Sequence, residues 1–221
     1  MFFADLQRRL GERLRFYVVT GGLGRGSSIP GWSDIDVLFG IDDYDTELIE
    51  AIGASLGSNT SGIKIGITFY SLVELRDPAY LDPKTHASMY GISKGVFVPR
   101  IKSDDVVLPD ISLEFIVSSS MVNYSSHLHS LKKALINFDS GNERATYKCI
   151  ITMLQVMMWD AWNPRITYDD VLALSRVRYP NVSWILPRPQ DIIEHPEGSN
   201  ERYESYVKFL NWVKDNHVAV R

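Results

Sequence analysis

The chain has 221 residues, of which 45% are hydrophobic and 11% aromatic, as is ordinary for a folded globular protein. Its formal net charge is -4 at pH 7, which argues against a protein that grips extended nucleic acid through a basic surface. The single cysteine, Cys149, excludes a disulfide framework and a cysteine metal cluster within one chain.

The start of the sequence meets charged residues too early for the apolar stretch of a signal peptide. No run approaches the roughly 20 apolar residues that are needed to span a bilayer. We therefore expect a cytoplasmic protein without a membrane partner.

The first half of the chain alternates helical and extended patterns of apolar residues. The predicted order is helix, strand, glycine-rich turn, strand, helix and strand. These elements cover residues 3–15, 15–20, 21–28, 33–39, 46–56 and 63–70. The sequence thus predicts an α/β core of the α+β kind, built on a small mixed sheet.

Prolines punctuate residues 77–110 and predict a connecting region there instead of packed elements. They are Pro78, Pro83, Pro99 and Pro109. A short β-like piece at 95–98 lies among them. We place the domain boundary near residue 110.

Beyond residue 110 the apolar spacing is helical. Four helices are predicted, over residues 112–138, 143–162, 167–178 and 200–216. The sequence therefore predicts two domains, a core over residues 1–110 and a helical domain over residues 111–221.

The predicted helix at 143–162 is apolar over most of its circumference but carries a narrow polar stripe. The stripe consists of Arg144, Lys148, Thr152 and Gln155. A buried helix tolerates such a stripe only where it meets water or a ligand. Two readings stay open, namely a stripe that faces a ligand cleft and a solvated outer edge.

Asp34 and Asp36 are the strongest candidates for chemistry. Residues two apart in a strand point to the same face, so the two carboxylates should project together. Ile35 and Val37 should then point to the opposite face, toward a core. Neighbouring carboxylates are a typical magnesium site.

The glycine-rich turn at 21–28 carries complementary chemistry. Glycines let backbone N–H groups approach phosphate oxygens closely. Ser27 and Ser28 add hydroxyl donors, and Arg25 adds a positive charge that can meet a phosphate. The turn and the two acids together predict a site for a nucleoside triphosphate.

The pair Gly21-Gly22 is followed by eleven residues and then by Asp34-Ile35-Asp36-Val37. This arrangement resembles the signature of the nucleotidyltransferase superfamily. The residues around it resemble the minimal and the aminoglycoside-type members. The resemblance is specific over about residues 14–100 and looser over the helical remainder, which is similar to the helical domain that closes the substrate cleft in aminoglycoside-type enzymes.

The resemblance implies that Gly22 and a nearby serine touch the triphosphate and that Asp34 and Asp36 bind Mg²⁺. The implied reaction is in-line attack of an acceptor hydroxyl on the α-phosphate, with release of pyrophosphate. Residues 111–221 would form the other wall of the cleft and hold the acceptor. Lys148 would contact the nucleotide.

One departure from the family pattern stands out. Catalytic members usually present a third acid on the strand after the intervening helix, and this chain has Gly66 there. Glu74, Asp77 and Glu114 lie nearby in sequence, but their spacing supports none of them. Another base, activation of the acceptor by metal alone, and nucleotide binding without transfer all remain open.

Three hypotheses follow. The first is a metal-dependent enzyme that transfers a nucleoside monophosphate to a hydroxyl of a small acceptor, of which an aminoglycoside-like sugar is one candidate. The second is a catalytically impaired nucleotide-binding or antitoxin-like protein of the same fold. The third is transfer to RNA or to a protein side chain, which the net charge disfavours for RNA. The preferred nucleotide and the oligomeric state are not fixed by the sequence.

Overall fold

The structure of the protein is a computed structural model that describes residues 2–59, 62–101, 104–122, 124–139 and 141–216, without the side chains of 120–122. The chain divides into two compact units. The first unit comprises Met1–Ser28 and Ser33–Ile116, and the second comprises Ile29–Trp32 and Val117–Arg221. None of the helices in the described ranges has the length and apolar character needed to cross a lipid bilayer.

The first unit is built on a mixed sheet. Within the described ranges the sheet has four strands, in the order β3-β2-β1-β4. They are β1 (Leu14–Thr20), β2 (Ile35–Ile41), β3 (Ile65–Ser71) and the short β4 (Arg100–Ile101). Strand β1 pairs antiparallel with β2 and with β4, while β2 and β3 run parallel.

Among the described residues up to 93, five α-helices accompany this sheet in the first unit. They are α1 (Phe2–Leu10), α2 (Gly21–Gly24), α3 (Thr46–Gly57), α4 (Leu72–Leu75) and α5 (Pro83–Ser93). One face of the sheet buries Val37, Phe39 and Ile41 against apolar residues of α1 and α3. Val37 thus points to a core, as the alternation along the strand predicts, and Ile35 packs against the same cluster.

The predicted connecting region at 77–110 is wrong over residues 83–93. Helix α5 occupies them, because Asp82 caps its first turn and Pro83 takes the first helical position, where its missing N–H is not needed. The predicted β-like piece at 95–98 is also wrong, since the strand in this region is β4.

The second unit is helical. Its main helices are α6 (Leu113–Val122, which begins in the first unit), α7 (Tyr124–Ile136), α8 (Glu143–Met157), α9 (Tyr168–Arg178), the short α10 (Pro189–Glu194) and α11 (Ser199–Asn216). The predicted helix at 112–138 is thus two helices, and that at 143–162 ends its α-helical part at Met157. Aromatic and aliphatic side chains of α7, α8, α9 and α11 form one buried cluster.

Residues 29–32 belong to this unit although they lie early in the sequence, and of them Trp32 is part of the buried cluster and Ile29 packs against it. Trp32 is 2% exposed and meets Tyr147 of α8 edge to face, with ring centroids 5.4 Å apart. The Arg144 guanidinium lies over the Trp32 ring, 5.7 Å from its centroid. Of the polar stripe, Arg144 therefore contributes to packing in the second unit.

A buried ion pair joins two helices of the second unit. Arg202 of α11 donates from Nε and Nη2 to the two carboxylate oxygens of Glu143, over 2.6 and 2.8 Å. The Tyr206 hydroxyl donates to Glu143 Oε1 over 2.6 Å. The Glu143 side chain is 2% exposed and that of Arg202 12%. Burial and the neighbouring Glu143 carboxylate raise the pKa of Tyr206, so its hydroxyl stays protonated.

Candidate functional site

Asp36 lies in the middle of the sheet, one residue inside β2. Its strand partners are Thr20 at the end of β1 and Gly66 near the start of β3. The Asp36 side chain is 22% exposed, so its carboxylate is accessible to solvent. The carboxylate thus lies at the end of the sheet where β1 ends and both β2 and β3 begin.

Two glycines leave room for the Asp36 carboxylate. A Cβ on Gly21 would lie 2.2 Å from Asp36 Oδ2, and a Cβ on Gly66 would lie 3.0 Å from Oδ1. Gly21 also has a φ of +63°, which other residues rarely adopt. The backbone of the glycine-rich segment therefore approaches Asp36 as closely as glycine alone allows.

We expect the Gly21→Ala variant to damage this site. The added methyl group must displace the Asp36 carboxylate, and the left-handed backbone adds a cost of about 1–2 kcal/mol. Nucleotide binding, measured by calorimetry, should weaken more than in the control variant Gly26→Ala. Gly26 has a similar φ of +73°, yet a Cβ there would meet nothing within 4 Å. Equal losses of nucleotide affinity in the two variants would show that the close approach of Gly21 to Asp36 is not what binding depends on.

The glycine-rich segment is more ordered than a plain turn. It forms the short helix α2, after which the Arg25, Gly26 and Ser27 N–H groups donate to the carbonyls of Gly21, Leu23 and Gly22. These three N–H groups are therefore already used within the segment. Ser28 is exposed, whereas Arg25, Gly22 and Ser27 are half-buried. Their predicted contacts with a nucleotide stay predictions.

Asp34 directly precedes β2 and is half-buried. The strand begins at Ile35, two residues later than the sequence predicts. That the Asp34 carboxylate lies beside that of Asp36 stays a prediction, as does the role of both acids in catalysis and metal binding. Lys148 lies in the second unit on α8, where it is half-buried, and its predicted nucleotide contact likewise stays a prediction.

The sequence interpretation missed Lys84. Its ammonium Nζ donates to Asp36 Oδ1 over 2.6 Å, and the lysine side chain is 63% exposed. Lys84 is held in place by the start of α5, where the N–H groups of Lys84 and Thr85 donate to Asp82 Oδ1. The Tyr70 hydroxyl of β3 donates to Asp82 Oδ2 over 2.7 Å, which ties this helix start to the sheet.

The hydrogen bonds at Asp82 keep it ionised. Burial raises the pKa of this carboxyl, but hydrogen bonds from Thr85, Tyr70 and two backbone N–H groups outweigh it, so that the pKa lies below its usual range. An ionised aspartate at the N-cap is favourable for the helix. It follows that the first turn of α5, which includes the Lys84 backbone, stays capped at neutral pH.

The other acids considered for the third position have structural partners. Glu74 accepts from the Ser71 N–H over 2.8 Å and from the Tyr44 hydroxyl, and so caps α4. Asp77 caps a short 3₁₀ helix, and Glu114 lies in the first turn of α6. Within the residues that the structure describes, no three His, Cys, Asp or Glu side chains are grouped so that they could hold a metal ion.

Tyr44 provides a pH probe of the first unit. Burial and the hydrogen bond to Glu74 raise its pKa from 10.0 to about 12. Because the folded-state pKa is the higher one, Tyr44 stabilises the fold fully below pH 10, and this contribution is lost as the pH rises toward 12. Several other tyrosines also have raised pKa values, so we expect the ultraviolet titration of Tyr44→Phe to lose the absorbance change of a single tyrosine near pH 12. An unchanged titration curve in that variant would contradict the assignment.

The donor chemistry at Asp36 fits a magnesium ion only in part. Mg²⁺ prefers oxygen ligands and is often held by one or two carboxylates together with substrate phosphates. The Asp36 carboxylate is accessible, and the backbone of Gly21 approaches its Oδ2. The partner position on β3, however, offers no carboxylate, and a lysine ammonium occupies Oδ1.

No protein-family model matches the sequence, and no curated protein matches it. Among solved structures, the chain is similar to spectinomycin adenyltransferase AAD(9) from Enterococcus faecialis, crystallised with ATP and spectinomycin. The two sequences are 15% identical, the TM-score is 0.60, and the alignment covers 96% of this chain and 95% of that chain.

At this identity the likeness shows the fold. The predicted fold class is confirmed, since a small mixed sheet with flanking helices and a following helical part matches a nucleotidyltransferase-like fold.

Proposed function

We propose that the protein binds a nucleoside triphosphate beside Asp36 and transfers the nucleoside monophosphate to a hydroxyl of a small acceptor. The observation that carries this proposal is the close approach of Gly21 to Asp36. An accessible carboxylate and a glycine-rich backbone segment meet at the end of the sheet where β2 begins, in a fold similar to that of an adenyltransferase.

In the proposed reaction the acceptor oxygen forms a bond to the α-phosphorus, and the bond from the α-phosphorus to the bridging oxygen breaks. Pyrophosphate leaves, and the hydroxyl proton passes to solvent or to a base. Residues 21–28 would position the triphosphate, with Ser27, Ser28 and Arg25 as candidate contacts. Lys148 is a further candidate contact of the nucleotide, and the rest of residues 111–221 would hold the acceptor.

Asp34 and Asp36 are the residues that would hold Mg²⁺, which when bound would neutralise phosphate charge and lower the pKa of the attacking hydroxyl. The acceptor is proposed to be small because the net charge of -4 does not favour long nucleic acid. The neighbouring structure was solved with spectinomycin, and an antibiotic of this kind is therefore the first acceptor to test.

Gly66 favours a second candidate function. Since no acid lies opposite Asp36 on β3, the same site suits a protein that binds nucleotide without transferring it. Such a protein would act through association with a partner.

The deciding experiment incubates the full chain with labelled ATP, GTP, CTP or UTP, Mg²⁺ and a panel of acceptors that includes spectinomycin and other aminoglycoside-like compounds. Acceptor-dependent release of pyrophosphate together with a labelled acceptor supports transfer. Nucleotide binding by calorimetry without pyrophosphate release under any condition supports the second candidate. The absence of both binding and release would refute the two together.

A further inference from the structure

The position opposite Asp36 on β3 is empty of side chain atoms. Asp36 and Gly66 are direct partners in the parallel pair of β2 and β3, and a Cβ on Gly66 would already lie 3.0 Å from Asp36 Oδ1. Any side chain at residue 66 would therefore project toward that oxygen. The glycine leaves the oxygen open on this side.

Lys84, on helix α5, donates a hydrogen bond to the same oxygen, Asp36 Oδ1. Its Nζ lies 2.6 Å from Asp36 Oδ1, although 48 residues separate the two in sequence. An ammonium group has three N–H donors. Across the described ranges, Asp36 is the one acceptor that Nζ reaches, and 63% of the lysine side chain is exposed, so that the remaining donors face solvent.

The local structure does not by itself favour a lysine here. Lys84 lies in the first turn of α5, where the helix dipole disfavours a cation. The capping aspartate and Pro83 hold this turn, and Tyr70 fastens it to β3. A positively charged residue placed against this local preference, on a capped helix start that is hydrogen-bonded to the sheet, indicates a role in the site.

We propose that the Lys84 ammonium is a permanent positive charge of the nucleotide site. It contacts the triphosphate and neutralises part of the phosphate charge that a divalent cation would otherwise neutralise. The site would then bind a nucleoside triphosphate with a weak dependence on Mg²⁺. This inference rests on the proposed function, because it concerns the same site. Lys84 would be a phosphate-binding residue whose charge is fixed in place by Asp36.

The test is calorimetric titration of ATP, GTP, CTP and UTP into the full chain, with Mg²⁺ and with EDTA. The wild-type protein should bind in EDTA within about tenfold of its affinity in Mg²⁺. Lys84→Met should lose at least about tenfold in EDTA and less in Mg²⁺, because charge-assisted contacts to phosphate are lost. Lys84→Arg should retain metal-free binding, since it keeps the charge.

Lys64→Met is the matched control, because Lys64 is an exposed lysine of the same unit that directly precedes β3. It should bind as the wild type does in both conditions. Metal-free binding that is unchanged or tighter in Lys84→Met would overturn the inference. So would a wild-type protein that binds only with Mg²⁺, although the proposed function would then stand. Failure to bind any triphosphate in either condition would refute both.

Discussion

The Asp36→Ala variant should lose nucleotidyl transfer by at least about a hundredfold, because it removes the carboxylate around which the site is built. The fold should persist. Asp36 is partly exposed, and its ion pair with the mostly exposed Lys84 is screened by water, so the pair adds little to stability. Asp34→Ala should show the same loss if the two acids act together.

Asp42→Ala is a suitable control for this prediction. Asp42 directly follows β2 at the opposite end of the strand from Asp36, and it accepts from Arg15 Nε over 2.5 Å on the surface. The control should transfer nucleotide at the wild-type rate. Pyrophosphate release measures the activity and circular dichroism the fold. An unfolded Asp36→Ala protein, or one with full activity, would show that the carboxylate has been placed in the wrong role.

The Glu143→Ala variant should lower the free energy of unfolding of the second unit by about 3–5 kcal/mol, because it leaves a buried charge without its partner. Arg202 would keep its guanidinium inside without a carboxylate, and the Tyr206 hydroxyl would lose its acceptor. Asp160→Ala breaks a pair with Arg178 whose side chains are 50% and 43% exposed, so it should cost no more than about 1 kcal/mol.

Tryptophan fluorescence during urea unfolding can measure the loss of stability in Glu143→Ala. The chain has five tryptophans, and all of them belong to the second unit. Replacing the whole network by Glu143→Leu, Arg202→Met and Tyr206→Phe should restore much of the loss, because no charge is then left unpaired. A loss in Glu143→Ala no larger than in Asp160→Ala would contradict the account of the buried pair.

The sequence predicts most of the sheet because its strands follow simple alternation. Val37, Phe39 and Ile41 point to one core, and the predicted strands differ from β1, β2 and β3 by a few residues at their ends. Such shifts are expected where a strand begins in an extended loop, as β2 does after Asp34.

Helix α5 escapes prediction for a physical reason. Its buried residues include Thr85, His86, Ser88 and Gly91, so the helix has no continuous apolar stripe. The preceding Asp82-Pro83 pair is a typical helix start and was the available signal. The other prolines of this region are typical of a loop and so hide this helix signal.

The site shows the same limit. The resemblance to the nucleotidyltransferase signature points to Gly66 as the residue at the usual position of a third acid, and the pairing of β2 with β3 places it beside Asp36. Lys84 reaches Asp36 through the packing of α5 on the sheet, which no periodicity encodes. The sequence shows that a third acid is absent at Gly66. It does not show that the Lys84 ammonium contacts the Asp36 carboxylate.

The inclusion of residues 29–32 in the second unit has a practical consequence for anyone who wishes to study the parts separately. A fragment that stops at Ile116 takes the Trp32 indole away from Tyr147 and exposes an apolar surface that native packing hides. The complementary fragment lacks an aromatic piece of its own interior and should be loosely packed. The two fragments produced by a cut after Ile116 should therefore precipitate when each is expressed alone. They should be more soluble when they are expressed together.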